Sequence, residues 1–347
     1  MSKEVANDTI KTISMVGEFN LIRELFMPLQ RQTGSSPDPV NGDDAAVVTV
    51  PRTQQLLVTT DTLVEGVHFQ SDTDPYLLGQ KALRVNLSDI AAMGGNPRWY
   101  QLSISMPPSV SYHWVSEVAR GLKEAGETFN VSLVGGDTVS TRGCISLTIT
   151  MLGLVGQGRA VLRKGAMAGD KLYVSGTVGD AALGWSQRRG VLQVLEGEDI
   201  SHLQRRLDLP EPRIALGLAL QDAALMRAAI DISDGLVADL EHIAQASGVG
   251  AVIHAEKLPL SPAAQRVVHR LGGVTVSEIG KLVFCGGEDY ELLFAAAPAC
   301  HEQIMEISQQ VGVPITEIGE FTAEVGQVAV LYQGQTVRLK RAGWTHF

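Results

Sequence analysis

Seven aspartates in this sequence stand where an acid is either turn-forming or expensive. Asp43 and Asp44 lie between Gly42 and the apolar run Ala45 to Val48, Asp61 follows the strand-like Leu56 to Thr60, and Asp137 follows Val131 to Val134. Taken singly, each can be a turn or cap residue, because Asp side chains bond nearby backbone at strand ends. Asp89 is harder to explain. Leu78, Ala82, Val85 and Asp89 share one helix face that is otherwise apolar, and the acid falls near the C-terminal turn, the unfavourable end of the helix dipole. A buried carboxylate needs a cation, either Arg/Lys or a metal. Asp231 and Asp234, in Asp231-Ile232-Ser233-Asp234-Gly235, sit where an apolar strand turns into a helix, with Ser233 as an N-cap candidate. Acids at strand ends and on a helix face, without a His/Cys pattern, suit a hard oxygen-loving cation such as Mg²⁺, and Mg²⁺ held by a few carboxylates implies phosphate completing its shell.

The familiar phosphate loops are missing: there is no G-x-x-x-x-G-K-[ST] and no G-x-G-x-x-G after a strand. The glycine pairs Gly135-Gly136 and Gly286-Gly287 could instead present backbone N–H groups to an anion. Arg163 and Lys164 could balance phosphate charge, or simply form a solvated basic turn.

These residues need a scaffold, and the patterning supplies an α/β (α+β) one. Strands are predicted at Leu56 to Thr60, Gln101 to Met106, Val131 to Val134, Ile145 to Val155 and Lys171 to Ser175, then at Ile230 to Ile232, Ala251 to His254, Leu282 to Phe284 and Leu292 to Ala295. Helices are predicted over Pro75 to Met93, Trp114 to Phe129, Ile214 to Ala229 and Asp234 to Ala246, with a final helix and two strands closing the chain. Gly156 to Gly169 reads as a crossing between domains, giving a loose extension over residues 1–14, an N-terminal domain over 15–157 and a C-terminal domain over 158–347. At 347 residues, two domains are the natural division.

Composition narrows the function classes. With 28 Lys plus Arg against 38 Asp plus Glu, the net charge is −10, which disfavours a sequence-independent grip on nucleic acid. No apolar stretch reaches the length of a membrane helix. The three cysteines form no metal-type pair, so a reducing cytoplasm without disulfides is the expected setting.

Taken in order, the motifs resemble the thiamine-monophosphate kinase family of the aminoimidazole-ribonucleotide synthetase superfamily. The likeness runs through Gly17-Glu18-Phe19, Gly42-Asp43-Asp44-Ala45-Ala46, the segment Thr59 to Phe69, and Val85-Asn86-Leu87-Ser88-Asp89. It continues through Val134-Gly135-Gly136-Asp137-Thr138, Arg163-Lys164-Gly165-Ala166, Asp231 to Leu236, Gly286 to Leu292, and Gly343-Trp344-Thr345-His346-Phe347. The resemblance implies transfer of the ATP γ-phosphoryl group to thiamine monophosphate with several Mg²⁺ ions. It also implies the two-domain synthetase-like fold, and a homodimer in which the N-terminal sheets pair and the active site lies between the N- and C-terminal domains. By the same resemblance Asp44, Thr59, Thr60, Asp61, Asp89, Asp137, Asp231 and Asp234 would be metal ligands, with Asp43 beside them. Gly136, Asp137, Arg163 and Ser233 would lie against ATP, and His68, Glu288 and Trp344 would contact the thiamine phosphate. The acceptor phosphate is already ionised near neutral pH, so no general base is assigned.

Two other readings stay open on the residues alone. Another ATP-dependent synthetase of the superfamily is one, although no cysteine precedes Cys144, where a selenophosphate synthetase would carry its reactive group. A non-catalytic Mg-nucleotide sensor is the other, and a metal-dependent phosphatase would differ from both by releasing inorganic phosphate.

Overall fold

A computed structural model describes residues 11–30, 44–192, 197–273, 277–339 and 343. The chain forms two compact units. The first is built mainly on Val58–Asn86 and Arg98–Leu152, the second on Pro51–Leu57, Leu87–Pro97 and the chain from Gly153 onward.

The first unit opens with short helices, including α1 (Ile13–Val16) and α2 (Glu18–Leu21). Lys11 to Ser14, assigned by sequence to the loose extension, carry backbone bonds here: Ile13 N donates to Val110 O, and Tyr112 N to Lys11 O. Four strands follow, β1 (Gln54–Val64), β2 (Asn96–Met106), β3 (Ser132–Ser140) and β4 (Ser146–Gly156), ordered β1-β4-β2-β3. The unit also holds the greater part of α3 (Pro75–Ala92), whose residues from Leu87 onward belong to the second unit, and α4 (Tyr112–Thr128). Asp74 Oδ1 caps α3 by accepting from Tyr76 N, and Ser111 Oγ caps α4 by accepting from Trp114 N.

Strand β3 departs from the sequence reading. It was expected to end at Val134 before a glycine turn, yet it continues to Ser140, pairing parallel with β2. The register shifts between Tyr100 and Gln101, a bulge opposite Val134, and Leu102 then faces Gly136. A Cβ on Gly136 would lie 2.0 Å from Leu102 O, so the glycine is required by the approach of two backbones and not by a turn. Asp61 likewise lies inside β1 and not after it.

In the second unit a seven-stranded mixed sheet has the order β11-β10-β7-β9-β5-β8-β6. Its strands are β5 (Lys171–Ser175), β6 (Ala228–Asp231), β7 (Gly250–His254), β8 (Leu292–Ala296), β9 (Ile315–Thr322), β10 (Val328–Tyr332) and β11 (Gln335–Thr336). The central strands are buried on both faces, which explains their unbroken apolar character. Leu172, Val174, Leu293, Ala295, Ala228 and Ile230 enter one core, while Tyr173, Leu292, Phe294, Ala296 and Ala229 alternate into the other.

The helices of this unit are α5 (Asp180–Arg188), α6 (Glu198–Asp208), α7 (Ile214–Asp222), α8 (Leu236–Ser247), α9 (Pro262–Arg270), α10 (Ser277–Cys285) and α11 (His301–Val311). Three of them, α5, α6 and α9, were not read from the sequence. The helix expected to reach Ala229 stops at Asp222, and the chain reverses through Ala224 at φ 55° to enter β6. No glycine marks that end, which is why the sequence carried no stop signal. The strand expected at Leu282 to Phe284 is the last part of α10: Val283 and Phe284, neighbours in sequence, both enter the same core, which a strand does not allow. After α11 come three strands, not two, the last only two residues long.

Candidate active site

The sequence-derived site residues fall in both units, and each set is described within its own. In the first unit, Thr59, Thr60 and Asp61 occupy consecutive positions in β1, where successive side chains take opposite faces. Thr60 Oγ1 bonds across to β4, lying 2.5 Å from Thr150 Oγ1 and 3.3 Å from Ile149 O. The backbone at Asp61 is fixed from α3: Asn86, wholly buried, accepts from Asp61 N through Oδ1 at 3.1 Å and donates through Nδ2 to Ala82 O. Asn86 was not singled out by sequence. Its signal was an amide inside an otherwise apolar helix face, a group that needs a partner.

Asp44 and Asp137 are exposed, Asp137 on β3 next to Gly136. His68 is half-buried, and its Nδ1 accepts from Val64 N at 3.1 Å, so the neutral ring carries its proton on Nε2. Asp43 and Trp344 lie outside the described residues.

The second unit holds Asp89, Arg163, Asp231, Ser233, Asp234 and Glu288. Asp89 sits in the last turn of α3 and is half-buried, whereas Leu78, Ala82 and Val85 on the same face are fully buried. Arg163 is exposed on a loop tied down by Ser247, whose Oγ accepts from Gly165 N and Ala166 N and reaches Arg163 O. Asp231 ends β6 and is buried at 3% exposure. Ser233 does not cap α8 with its side chain; Gly235 is the N-cap residue, and the loop is capped from the other direction. Asp239, in the first turn of α8, accepts through Oδ2 from the N–H groups of Ser233, Asp234 and Gly235 at 3.0, 3.1 and 3.1 Å. Burial, and then the Asp234 charge, push its carboxyl up to about 7 against those three bonds.

The loop after α10 lies against this turn. Glu288 N donates to Ser233 O and Tyr290 N to Ile232 O, both at 2.8 Å. Gly287 is placed so that a Cβ would fall 1.8 Å from Ser233 O. That close approach is a sufficient reason for the glycine. Glu288 and Tyr290 both adopt left-handed backbone, φ 73° and 52°, on either side of the buried Asp289. Neither Asp239 nor Asp289 was predicted as a site residue: Asp239 lies three residues beyond the Asp231 to Leu236 motif, and Asp289 stands in a motif whose Glu288 carries the implied contact.

Burial pushes the Asp289 carboxyl up to about 8; the Asp180 charge adds to this, and the Gly179 N–H opposes it. Its ordinary value is 3.8, so between 3.8 and about 8 the folded chain keeps a proton that the unfolded chain has lost. The stability this group confers is full below its unfolded value and is lost as pH rises through the folded one, at up to about 1.4 kcal/mol per pH unit. Urea unfolding of the unliganded protein should therefore show a higher midpoint at pH 5.5 than at 7.5, and Asp289→Asn should reduce the difference without abolishing it, because the raised Asp239 carboxyl contributes over the same window. An unchanged slope in the variant would remove Asp289 as its source.

Among the described residues, no group of three or more His, Cys, Asp or Glu stands ready to hold a metal. The donors still suit Mg²⁺ in type, being carboxylates and threonine oxygens, and Mg²⁺ is commonly bound by one or two carboxylates together with substrate phosphates. The crowding of Asp234 and Asp239 is a local excess of negative charge that a cation would relieve.

Comparison with known proteins accounts for these motifs together. Residues 42–155 match the family model of AIR synthase related protein, N-terminal domain, and residues 167–331 match that of the C-terminal domain. The thiamine-monophosphate kinase of Escherichia coli (strain K12) is 40% identical over 332 residues, covering 95% of this chain and 98% of the relative. The crystal structure of thiamine-monophosphate kinase from Stenotrophomonas maltophilia K279a superposes with a TM-score of 0.79 at 37% identity, covering 90% of this chain and 96% of that one. AaThiL complexed with AMPPCP and TMP superposes with a TM-score of 0.73 at 34% identity, covering 96% and 97%. Two matched domains and near-full-length identity of this order place the chain in the thiamine-monophosphate kinase family of the AIR synthase related proteins.

Proposed function

We infer that this chain is an ATP-dependent kinase that phosphorylates thiamine monophosphate to thiamine diphosphate, releasing ADP. The observation that carries this is the full-length likeness to AaThiL, a relative complexed with both a nucleotide analogue and TMP. Of the residues assigned to the acceptor, His68 and Glu288 lie in the described parts of the chain and Trp344 outside them.

We propose the division of labour as follows. Asp44, Thr59, Thr60, Asp61, Asp89, Asp137, Asp231 and Asp234 hold Mg²⁺, which when bound neutralises phosphate charge and orients the transferring group. Gly136, Asp137, Arg163 and Ser233 lie against ATP, the Arg163 guanidinium giving a planar fork for phosphate oxygens. His68, with Nε2–H as its donor, and Glu288 position the acceptor, and Trp344 offers its ring to the cationic thiazolium, worth about 0.5–2 kcal/mol. Transfer is direct and in line. The acceptor oxygen is already anionic, so no side chain acts as general base.

We further propose a cytoplasmic homodimer with the N-terminal domain at about 15–157 and the C-terminal domain at about 158–347. Val58 on β1 and Val139 on β3, both exposed, support pairing of the N-terminal sheets. No helix among the described residues is long and apolar enough to cross a membrane. Light scattering gives the mass of the assembly directly.

Incubation with ATP, Mg²⁺ and thiamine monophosphate, followed by chromatography, tests the reaction. Thiamine diphosphate and ADP should form in equal amounts and only with Mg²⁺. Inorganic phosphate without diphosphate would indicate a phosphatase, and nucleotide binding without turnover a sensor. Trp344→Ala should raise the KM for thiamine monophosphate about five- to tenfold with little change for ATP, as loss of about 1–1.4 kcal/mol of ring contact requires. Equal changes in both constants would place the indole elsewhere.

A further inference from the structure

We propose that Asp239 and Asp289 are positioning residues that independently anchor the two loops of the second unit, Asp239 the turn 231–235 and Asp289 the segment 286–291. The kinetic consequence rests on the assignment above of Asp231, Ser233 and Asp234 to metal and nucleotide and of Glu288 to the acceptor.

The two carboxylates are alike in burial and different in donors. Each is 2% exposed. Asp239 gathers three successive N–H groups of the turn just before its own helix onto one oxygen, Oδ2. This holds the backbone at Ser233, Asp234 and Gly235, just past Asp231, without using the Ser233 or Asp234 side chain. Asp289 draws instead on the start of α5, accepting from Gly179 N at 2.7 Å through Oδ2 and from Ala181 N at 3.4 Å through Oδ1. Its own carbonyl accepts from Arg206 Nη2 at 3.4 Å, and the same nitrogen lies 2.8 Å from Glu291 Oε1.

The anchor on Asp289 answers a specific need. Left-handed backbone at a non-glycine residue costs roughly 1–2 kcal/mol, and Glu288 and Tyr290 both adopt it. Such a pair persists only where the surroundings over-determine it. Asp289 lies between them, with its side chain bonded on one side of the segment and the N–H groups of Glu288 and Tyr290 bonded on the other, to Ser233 O and Ile232 O. Released from α5, the segment can relax, and the Glu288 carboxylate moves with it. The 231–235 turn would remain held by Asp239 and by the antiparallel pairing of Asp231 with Leu292.

Two readouts test this. In hydrogen exchange on the unliganded protein, Asp239→Ala should speed exchange at 233–235 and Asp289→Ala at 286–290, each sparing the other, whereas the Ile232 N–H, which donates to Glu291 O, reports on neither anchor alone. In kinetics, Asp239→Ala should raise the ATP KM and the Mg²⁺ requirement about tenfold and leave the acceptor KM within about twofold; Asp289→Ala should do the reverse. Asp289→Asn, which keeps one acceptor oxygen for Gly179 N–H, should restore most of the loss. If Asp289→Ala does not fold, Arg206→Lys serves in its place, with faster exchange at 286–291 and a roughly threefold rise in acceptor KM.

Exchange that quickens throughout the unit, changes of both KM values alike in both variants, or a lowered Tm with unaltered kinetics would overturn the proposal. Glu288→Gln separates the two levels. If it leaves the acceptor KM unchanged while exchange still divides between the loops, the anchors stand and the assignment of Glu288 falls.

Discussion

Asp61→Asn is expected to lower kcat by about 100-fold or more at ordinary Mg²⁺, with circular dichroism and Tm close to those of the unaltered protein. Metal-borne neutralisation of a transferring phosphoryl group is worth several kcal/mol, and each 1.36 kcal/mol is tenfold in rate. The fold should tolerate the change because the contact that secures this stretch is made by the backbone: Asn86 holds Asp61 N and does not depend on the carboxylate. Asp61 is also only half-buried, and Asn has its shape. Near-normal turnover would dismiss Asp61 as a metal ligand. A large loss restored by raising Mg²⁺ would locate the defect in binding and not in the chemical step.

Glu291→Ala should destabilise the protein by about 3–5 kcal/mol, because it removes one side of a buried ion network and leaves the other uncompensated. Glu291 is fully buried. It accepts from Ser175 Oγ at 2.6 Å, Arg206 Nη2 at 2.8 Å, and Arg213 Nε and Nη2 at 2.6 and 2.5 Å. The two guanidinium groups are 15% and 14% exposed, too little for water to replace the lost carboxylate. With roughly 2–4 °C of Tm lost per kcal/mol in a unit of this size, thermal unfolding should begin about 10 °C earlier. A shift of only a few degrees would mean that the arginines find other partners. The network binds residues 78 to 116 positions apart, so its loss is also expected to loosen α6 against the loop bearing Glu288.

Much of the architecture was legible because it follows from local period. Lys171 to Ser175 is the strand β5 to the residue, and Pro75 to Met93 is α3 to within one, since an apolar run with clear punctuation and a capped 3.6-residue repeat each specify one backbone. Failures came where a local pattern was short or ambiguous. Three apolar residues at Leu282 to Phe284 fit a strand or a helix equally, and only their common core decided for α10. Gly135-Gly136 looked like a turn because glycine ends strands, yet here β2 needed the space.

The candidate site divides in the same way. Asp231 at its strand end, Asp89 on its helix face and the Gly286-Gly287 pair could be located from spacing, because each position depends on residues a few places away. The residues that hold the loops could not. Asn86 meets Asp61 across 25 positions, and Asp289 meets Gly179 across 110.

The sequence by itself determined the class of chemistry, through acids, glycines and ordered motifs, and it determined most strands and helices through their periods. Tertiary structure alone decided which strand lies beside which, where β3 ends, which carboxylates are buried, and which backbone stays left-handed. The physical reason is that propensity and amphipathic period act over a few residues, whereas burial and hydrogen-bond partnership depend on what the rest of the chain brings near.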